Sequence, residues 1–247
     1  MAIKLGWILI GILILFLSFY LYKRQQKFKA VILLTTSVIV QKKLPLYQTD
    51  KEERIKTYVK SIKQYLEKTN LPIVVIENTG YDFSKELKNE IIKYRSRFEI
   101  ISFNEHLKPD CLYLSGNMSK GNSELFSIYY AFYNSRIIQN SNFIIKITGR
   151  YFVSELEEYL EKTNLHEYHA IIQNQSERCE IVGSSYEMFD KIFNPYFPKE
   201  EDKYNGHAES IFEHRMNFFP KKTILVLPRL HIEPTKRGGL NEIFTFL

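Results

Sequence analysis

The segment Lys146-Ile147-Thr148-Gly149-Arg150-Tyr151 places two cations and a glycine within six residues. Strand alternation puts Lys146 and Thr148 on one face. A lysine inside so apolar a run is costly to bury unless it is paired or serves a site. Gly149 permits a sharp turn that presents Arg150, whose planar guanidinium grips a diphosphate through two parallel hydrogen bonds. The competing reading is a lysine snorkelling from an edge strand beside an arginine in a surface ion pair. Lys120-Gly121-Asn122-Ser123-Glu124 opens a helix, with Ser119 as N-cap. Free N–H groups and partial positive charge there suit an anion, Gly121 admits a ligand to the backbone, and Glu124 can meet a ribose hydroxyl. Its bland counterpart is an ordinary capped helix whose glutamate suits the dipole.

Two further segments bear on chemistry. Thr35-Thr36-Ser37 sets three hydroxyls at the end of an apolar strand, where they can line a base or ribose; they also simply suit a strand. In His207-Ala-Glu209-Ser-Ile-Phe-Glu213-His214 the two glutamates lie four apart on one helical face. Ser210 stands where a zinc motif of the His-x-x-Glu-His kind needs histidine, so no metal is assigned. Glu209 held near a hydroxyl would serve as general base, against the alternative of a solvated helix face. Beyond the last strand, Arg229, His231, Lys236 and Arg237 precede Gly238 and Gly239. That tail either folds over a pyrophosphate or is an unstructured terminus.

These residues are positioned by alternating short apolar runs and helical periodicities, the pattern of βα units around a mostly parallel sheet. Residues 30–40 (AVILLTTSVIV) read as a central strand buried on both faces. Asp50 caps a helix to Thr69, with Ile55, Tyr58, Val59, Ile62 and Leu66 on its inner face. Strands follow at 72–77, 98–103, 143–148, 169–174, 179–183 and 223–227. Helices are expected from Ser84, over 120–138, 154–162 and 185–193, and around 207–217. In an open α/β sheet of this kind ligands bind beyond the carboxyl ends of the strands.

The chain begins differently. Leu5 to Tyr22 is eighteen residues without a charge. As a helix it covers about 27 Å, close to the hydrocarbon thickness of a bilayer. Trp7, Tyr20 and Tyr22 lie near its ends, and a basic flank rather than a cleavage site follows. The first 29 residues are therefore expected to be a transmembrane anchor with its flank, and 30–247 one domain. Five basic residues and no acid fall in the anchor region, leaving 29 basic against 28 acidic residues in the domain. A domain so near neutrality is not built for nucleic acid. The positive-inside bias puts it on the cytoplasmic side, and two cysteines fit a reducing compartment. The triplets at Asn117 and Asn174 match glycosylation acceptors and would matter if the domain were lumenal.

Taken together, VILLTTSVIV, PIVVIENTG, FEIISF, KGNSE, FIIKITGRY and the late AES helix resemble nucleotide-sugar glycosyltransferases of the GT-A architecture. The likeness is to glycosyltransferase-like proteins of bacteria and large DNA viruses that carry the Lys-x-Thr-Gly-Arg-Tyr segment. It implies an α/β, Rossmann-type sheet flanked by helices, and a nucleotide-diphospho-sugar donor as co-substrate. The acceptor would be a hydroxyl on a glycan, glycolipid or glycoprotein. By resemblance Thr35, Thr36 and Ser37 lie near the base and Lys120, Gly121 and Glu124 near the nucleotide. Lys146, Thr148 and Arg150 lie where such enzymes carry a metal-binding Asp-x-Asp, and Glu209 is the catalytic carboxylate. No Asp-x-Asp follows the fourth strand, so cations would do the electrostatic work of a Mn²⁺ or Mg²⁺. A membrane-tethered binding module that has kept the fold without the chemistry is the alternative. A nucleotidyltransferase fits less well, because residues 36–50 contain no glycine for a phosphate loop.

Overall fold

The computed structural model of the protein describes residues 29–39, 48–108, 120–174, 178–196, 198–237 and 242–247, and of Lys120 only the backbone. The apolar segment 5–22, Cys111, the triplet at Asn117, Ser119 and the glycine pair 238–239 lie outside them. Among the described residues no helix is long and apolar enough to cross a membrane.

Seven strands form one sheet: β1 (Ala30–Thr36), β2 (Ile73–Glu77), β3 (Phe98–Ser102), β4 (Phe143–Thr148), β5 (Ala170–Gln173), β6 (Ile181–Ser185) and β7 (Ile224–Leu227). Their order is β3-β2-β1-β4-β6-β5-β7. All neighbours run parallel except β6, which is antiparallel to both β4 and β5. The fold is thus α/β with a mostly parallel sheet flanked by helices. β1 is buried along its whole length, as an apolar run covered on both faces must be.

Two cores cover the faces. On one, α1 (Lys51–Lys68) sets Ile55, Tyr58, Ile62, Tyr65 and Leu66 against Ile32, Leu34, Val75 and Ile145, with α4 (Leu156–Lys162) beside it. Asp50 caps α1 by accepting from the Glu53 N–H at 2.7 Å. On the other, α3 (Lys120–Asn134), α5 (Phe189–Phe193) and α6 (Ala208–Met216) cover Val31, Leu33, Val74 and Ile144. Between β2 and β3, α2 spans only Lys88–Lys93. The Asp82 carboxylate accepts from both the N–H and hydroxyl of Ser84, holding the expected helix start in a turn instead.

Beyond β7 the chain is not a loose tail. Strands β8 (His231–Lys236) and β9 (Ile243–Phe246) pair antiparallel. Leu230 and Leu247 exchange backbone hydrogen bonds of 2.9 and 2.8 Å, and Ile232 bridges to Val153 after β4. Both leucines are buried.

At the carboxyl end of β2, Glu77 organises the neighbouring exits. Its Oε1 accepts from Val38 N at 2.9 Å and from the Thr79 hydroxyl; its Oε2 accepts from Thr79 N and Tyr81 N, each at 2.8 Å. Burial pushes its pKa up, and those hydrogen bonds oppose the rise without cancelling it. In Glu77→Gln an amide NH₂ must face two buried donors, so the variant should lose about 2 kcal/mol in denaturant titration. Because the folded pKa lies above the unfolded value, Glu77's contribution is fullest at low pH and falls as pH rises through the folded pKa. The stability gap between wild type and Glu77→Gln should therefore widen as pH is lowered from 7 toward 5.

Candidate active site

The chain leaves β1 toward β2 and β3 on one side, while β4 opens the other half of the sheet. The carboxyl ends of β1 and β4 therefore flank the topological switch point, where diverging connections leave a crevice. The two exits are stitched together: Gly149 N donates to Thr35 O at 2.8 Å. A Cβ on Gly149 would lie 2.7 Å from Thr36 Cγ2 and 2.8 Å from Thr35 O, so only glycine allows this approach.

On the α3 face, Thr35, Glu124, Lys146 and Thr148 converge. Glu124 Oε1 accepts from the Thr35 hydroxyl at 2.9 Å and from Lys146 Nζ at 2.8 Å. Lys146 Nζ also reaches Cys179 O at 2.7 Å and Thr148 Oγ1 at 3.5 Å. Three acceptors match the three donors of an ammonium. Lys146 is fully buried, whereas the Glu124 side chain keeps 23% of its surface exposed. Burial alone would lower the lysine pKa, but Glu124, Cys179 and Glu180 outweigh it and the net direction is upward. The buried Cys179 thiol is pushed well up by burial; Lys146 opposes the rise, while Glu124, Glu209 and Glu180 reinforce it. It stays neutral and is no nucleophile.

The expectation that Lys146 grips a diphosphate is corrected by this geometry. Its donors are engaged and its surface sealed, so it fixes Glu124 instead. Gly121 is likewise placed for packing: a Cβ there would lie 2.1 Å from Gly206 O and 2.8 Å from Ala208 N, both backbone atoms of the entry to α6. Gly121→Ala should cost about 2 kcal/mol in a melt despite alanine's better helix propensity, because α3 and α6 must separate.

Arg150 leaves to the opposite, α1 face. Its Nε is buried with no hydrogen-bond partner among the described residues, and the guanidinium lies 5.5 Å from the Tyr151 ring centroid. Burial pulls its pKa down, while Tyr58 and Tyr151 more than offset this. Beside it stands Arg54, a residue the sequence did not mark. Arg54 donates through Nε and Nη2 to Ser37 O, through Nη1 to Gln48 O at 2.9 Å, and through Nη2 to Tyr58 OH at 2.9 Å. Its pKa is lowered, first by burial and, among charged neighbours, by like charge from Arg150. Among the described residues neither guanidinium has a carboxylate within ion-pair distance. Thr36 donates its hydroxyl to Ile76 O at 2.9 Å and is buried, while Ser37 holds Arg54 by its carbonyl.

Glu209 lies in the first turn of α6, half-buried, on the Glu124 face and close enough to Cys179 to raise its pKa. The tail supplies further cations: Glu180 pairs with Arg178 Nε at 3.2 Å and Arg237 Nε at 3.5 Å, and its carbonyl accepts from Thr148 N at 2.9 Å. Arg178 and Arg237 lie over Phe244 at 4.4 and 5.2 Å, and Arg229 over Phe246 at 3.2 Å. A cavity of about 580 Å³ lies at the other, amino-terminal edge, lined in part by His169, Tyr196, Arg215 and Phe218.

No protein-family model matches the chain, and no curated protein matches it. Among solved structures it is similar to a cytidylyltransferase from Leptospira borgpetersenii (12% identity, TM-score 0.44), covering 82% of this chain and 76% of that one. It is also similar to the glycosyltransferase GlyE in Streptococcus pneumoniae (11%, TM-score 0.49; 81% and 45% covered). A third is the mannosyltransferase PcManGT from Pyrobaculum calidifontis, solved with GDP-Man and Mn²⁺ (9%, TM-score 0.47; 83% and 56% covered). The chain spans about half the length of the latter two. At these identities and scores the likenesses assign no activity.

Metal ligation can be tested on the residues themselves. Among the described residues no group of three or more His, Cys, Asp or Glu side chains is disposed to hold a metal ion. The β4 exit offers a sealed lysine, a threonine, a glycine and an arginine, a donor set that does not suit a divalent cation.

Proposed function

We propose that the protein is a membrane-anchored glycosyltransferase that takes a sugar from a nucleotide-diphospho-sugar and places it on a glycan, glycolipid or glycoprotein hydroxyl. The observation that carries this reading is Arg150, poised at the switch point of a parallel sheet with a buried, unpartnered Nε and a second guanidinium behind it. Two like charges with no carboxylate between them suit an anion, and a diphosphate matches the guanidinium fork.

In this reading Thr35, Thr36 and Ser37 border the nucleoside. Glu124, oriented by Lys146 and Thr35 through one oxygen, presents the other toward a ribose or sugar hydroxyl. Glu209 takes the proton of the acceptor hydroxyl as that oxygen attacks the anomeric carbon, while the bond to the diphosphate breaks and Arg150, swung from its place against Tyr151 into the crevice, holds the departing charge. The segment 5–22 spans the bilayer, with the domain on the cytoplasmic side by its flanking charge.

Donor hydrolysis tests the reading. The full chain should release free sugar from at least one of a panel of UDP- and GDP-sugars, and Arg150→Ala should abolish that release. Binding without any hydrolysis or transfer would instead support a tethered binding module, which the closure of Lys146 onto Glu124 also accommodates.

A further inference from the structure

The register of the sheet gathers the starts of β1, β4, β5 and β7 and the end of β6 on one edge, since Ala30 pairs with Phe143, Phe143 with Ser185, and Ala170 with both Ser184 and Ile224. The chain enters the domain on this edge. Lys29 N donates to Asn142 Oδ1 at 3.0 Å and its carbonyl accepts from Asn142 N at 2.8 Å. Only seven residues, 23–29, separate this entry from the end of the apolar segment, a reach of about 25 Å when fully extended.

The same edge carries an aromatic patch. Tyr133, Tyr196 and Phe218 are 51%, 43% and 75% exposed. Tyr129 joins the first two, with ring centroids 4.6 Å from Tyr133 and 5.9 Å from Tyr196. Tyr196 and Phe218 border one cavity of about 580 Å³. Tyrosine and phenylalanine side chains presented together in this way are unfavourable in water and suit a boundary that is apolar below and wet above. Lys191, Lys221 and Lys222 are exposed around the patch, and Lys29 is exposed at the chain entry. Of the acids there, Asp190 accepts from Tyr133 OH at 3.2 Å, Glu201 is buried in its pair with Arg215 at 2.7 Å, and Glu187, Glu200 and Asp202 are exposed.

The geometry points to a membrane-docking face: the amino-terminal edge of the domain lies on an anionic bilayer surface, with Phe218, Tyr196 and Tyr133 at headgroup level and the lysines against lipid phosphates. This rests on the anchor reading of residues 5–22, because the short tether enters the domain at this edge and keeps it near the lipid. Aromatic rings settle at that depth, and basic side chains add attraction to anionic lipid. With this edge down, β4 carries Arg150 about 20 Å away from the surface, at a rise of about 3.3 Å per residue.

Tryptophan quenching in membranes tests it. The full chain with Trp7→Phe and Phe218→Trp is reconstituted in vesicles of phosphatidylcholine with phosphatidylserine, with bromine placed near the headgroups of the lipid. Emission of the Phe218→Trp protein should be blue-shifted and quenched about twofold, more strongly than in vesicles of phosphatidylcholine alone. Ile243→Trp, 64% exposed on β9 at the other edge, should be unquenched in the same background. If carbonate washing strips the chain from the vesicles, the anchor reading fails and takes this one with it. If the chain is retained but position 218 is no more quenched than position 243, docking is overturned while the anchor stands.

Discussion

Glu124→Ala should destabilise the domain by about 3–5 kcal/mol, because it leaves a fully buried ammonium without its counter-charge. Lys146 would keep only the Cys179 carbonyl and the long contact to Thr148. Lys146→Met should cost clearly less, since the glutamate it abandons is partly exposed and can draw in water. The double variant Glu124→Leu/Lys146→Met should recover much of the loss, because two apolar groups of similar shape need no pairing. The pH response separates a charge effect from a packing effect. In wild type the lysine's folded pKa lies above its unfolded value, so its stabilising contribution is complete below the unfolded pKa and is lost as pH rises through the folded one. In Glu124→Ala the unpaired lysine titrates downward instead, the unfolded state binds the extra proton, and stability should rise between pH 7 and pH 10. Denaturant titrations across that range check both signs.

The second large effect concerns ligand affinity. Arg150→Ala should weaken nucleoside-diphosphate binding roughly 10- to 100-fold, corresponding to charge-assisted hydrogen bonds of about 1.5–3 kcal/mol. Arg150→Lys keeps the charge but not the fork and should recover only part of the affinity. Both variants should still fold, since Arg150 makes no ion pair among the described residues and only its contacts with Tyr58 and Tyr151 are altered. Isothermal titration with UDP and GDP measures the affinities.

Much of the scaffold was legible because local chemistry agrees with the tertiary answer. The apolar run of β1, the Asp50 cap and the inner face of α1 each follow from residue type and spacing alone. Alternation correctly put Lys146 and Thr148 on one face. What alternation could not show is the partner waiting there. Thr35, Glu124 and Lys146 meet only because β1 and β4 are neighbours and α3 crosses above them, and strand order is not written in any local pattern. Hence a lysine read as a diphosphate ligand is a sealed structural cation, and the expected cluster of Lys146 with Arg150 is divided between two faces. Arg54 went unnoticed for the opposite reason. On the sequence it is an ordinary charged residue in a helix, and its role appears only when β1 delivers the Ser37 carbonyl to it. A signal was present in its spacing four residues before Tyr58, which it bonds. The reversed direction of β6 and the β8–β9 hairpin were equally invisible, both being set by long-range pairing.

The claim that matters most is that the crevice between the β1 and β4 exits holds a diphosphate. A crystal structure of the protein grown with UDP or GDP tests it directly. The diphosphate should lie within hydrogen-bond distance, about 3 Å, of the Arg150 guanidinium, with the nucleoside against Thr35 to Ser37. A nucleotide bound in the cavity beside Tyr196 and Phe218, or Arg150 unmoved against Tyr151 with the crevice empty, would contradict the account.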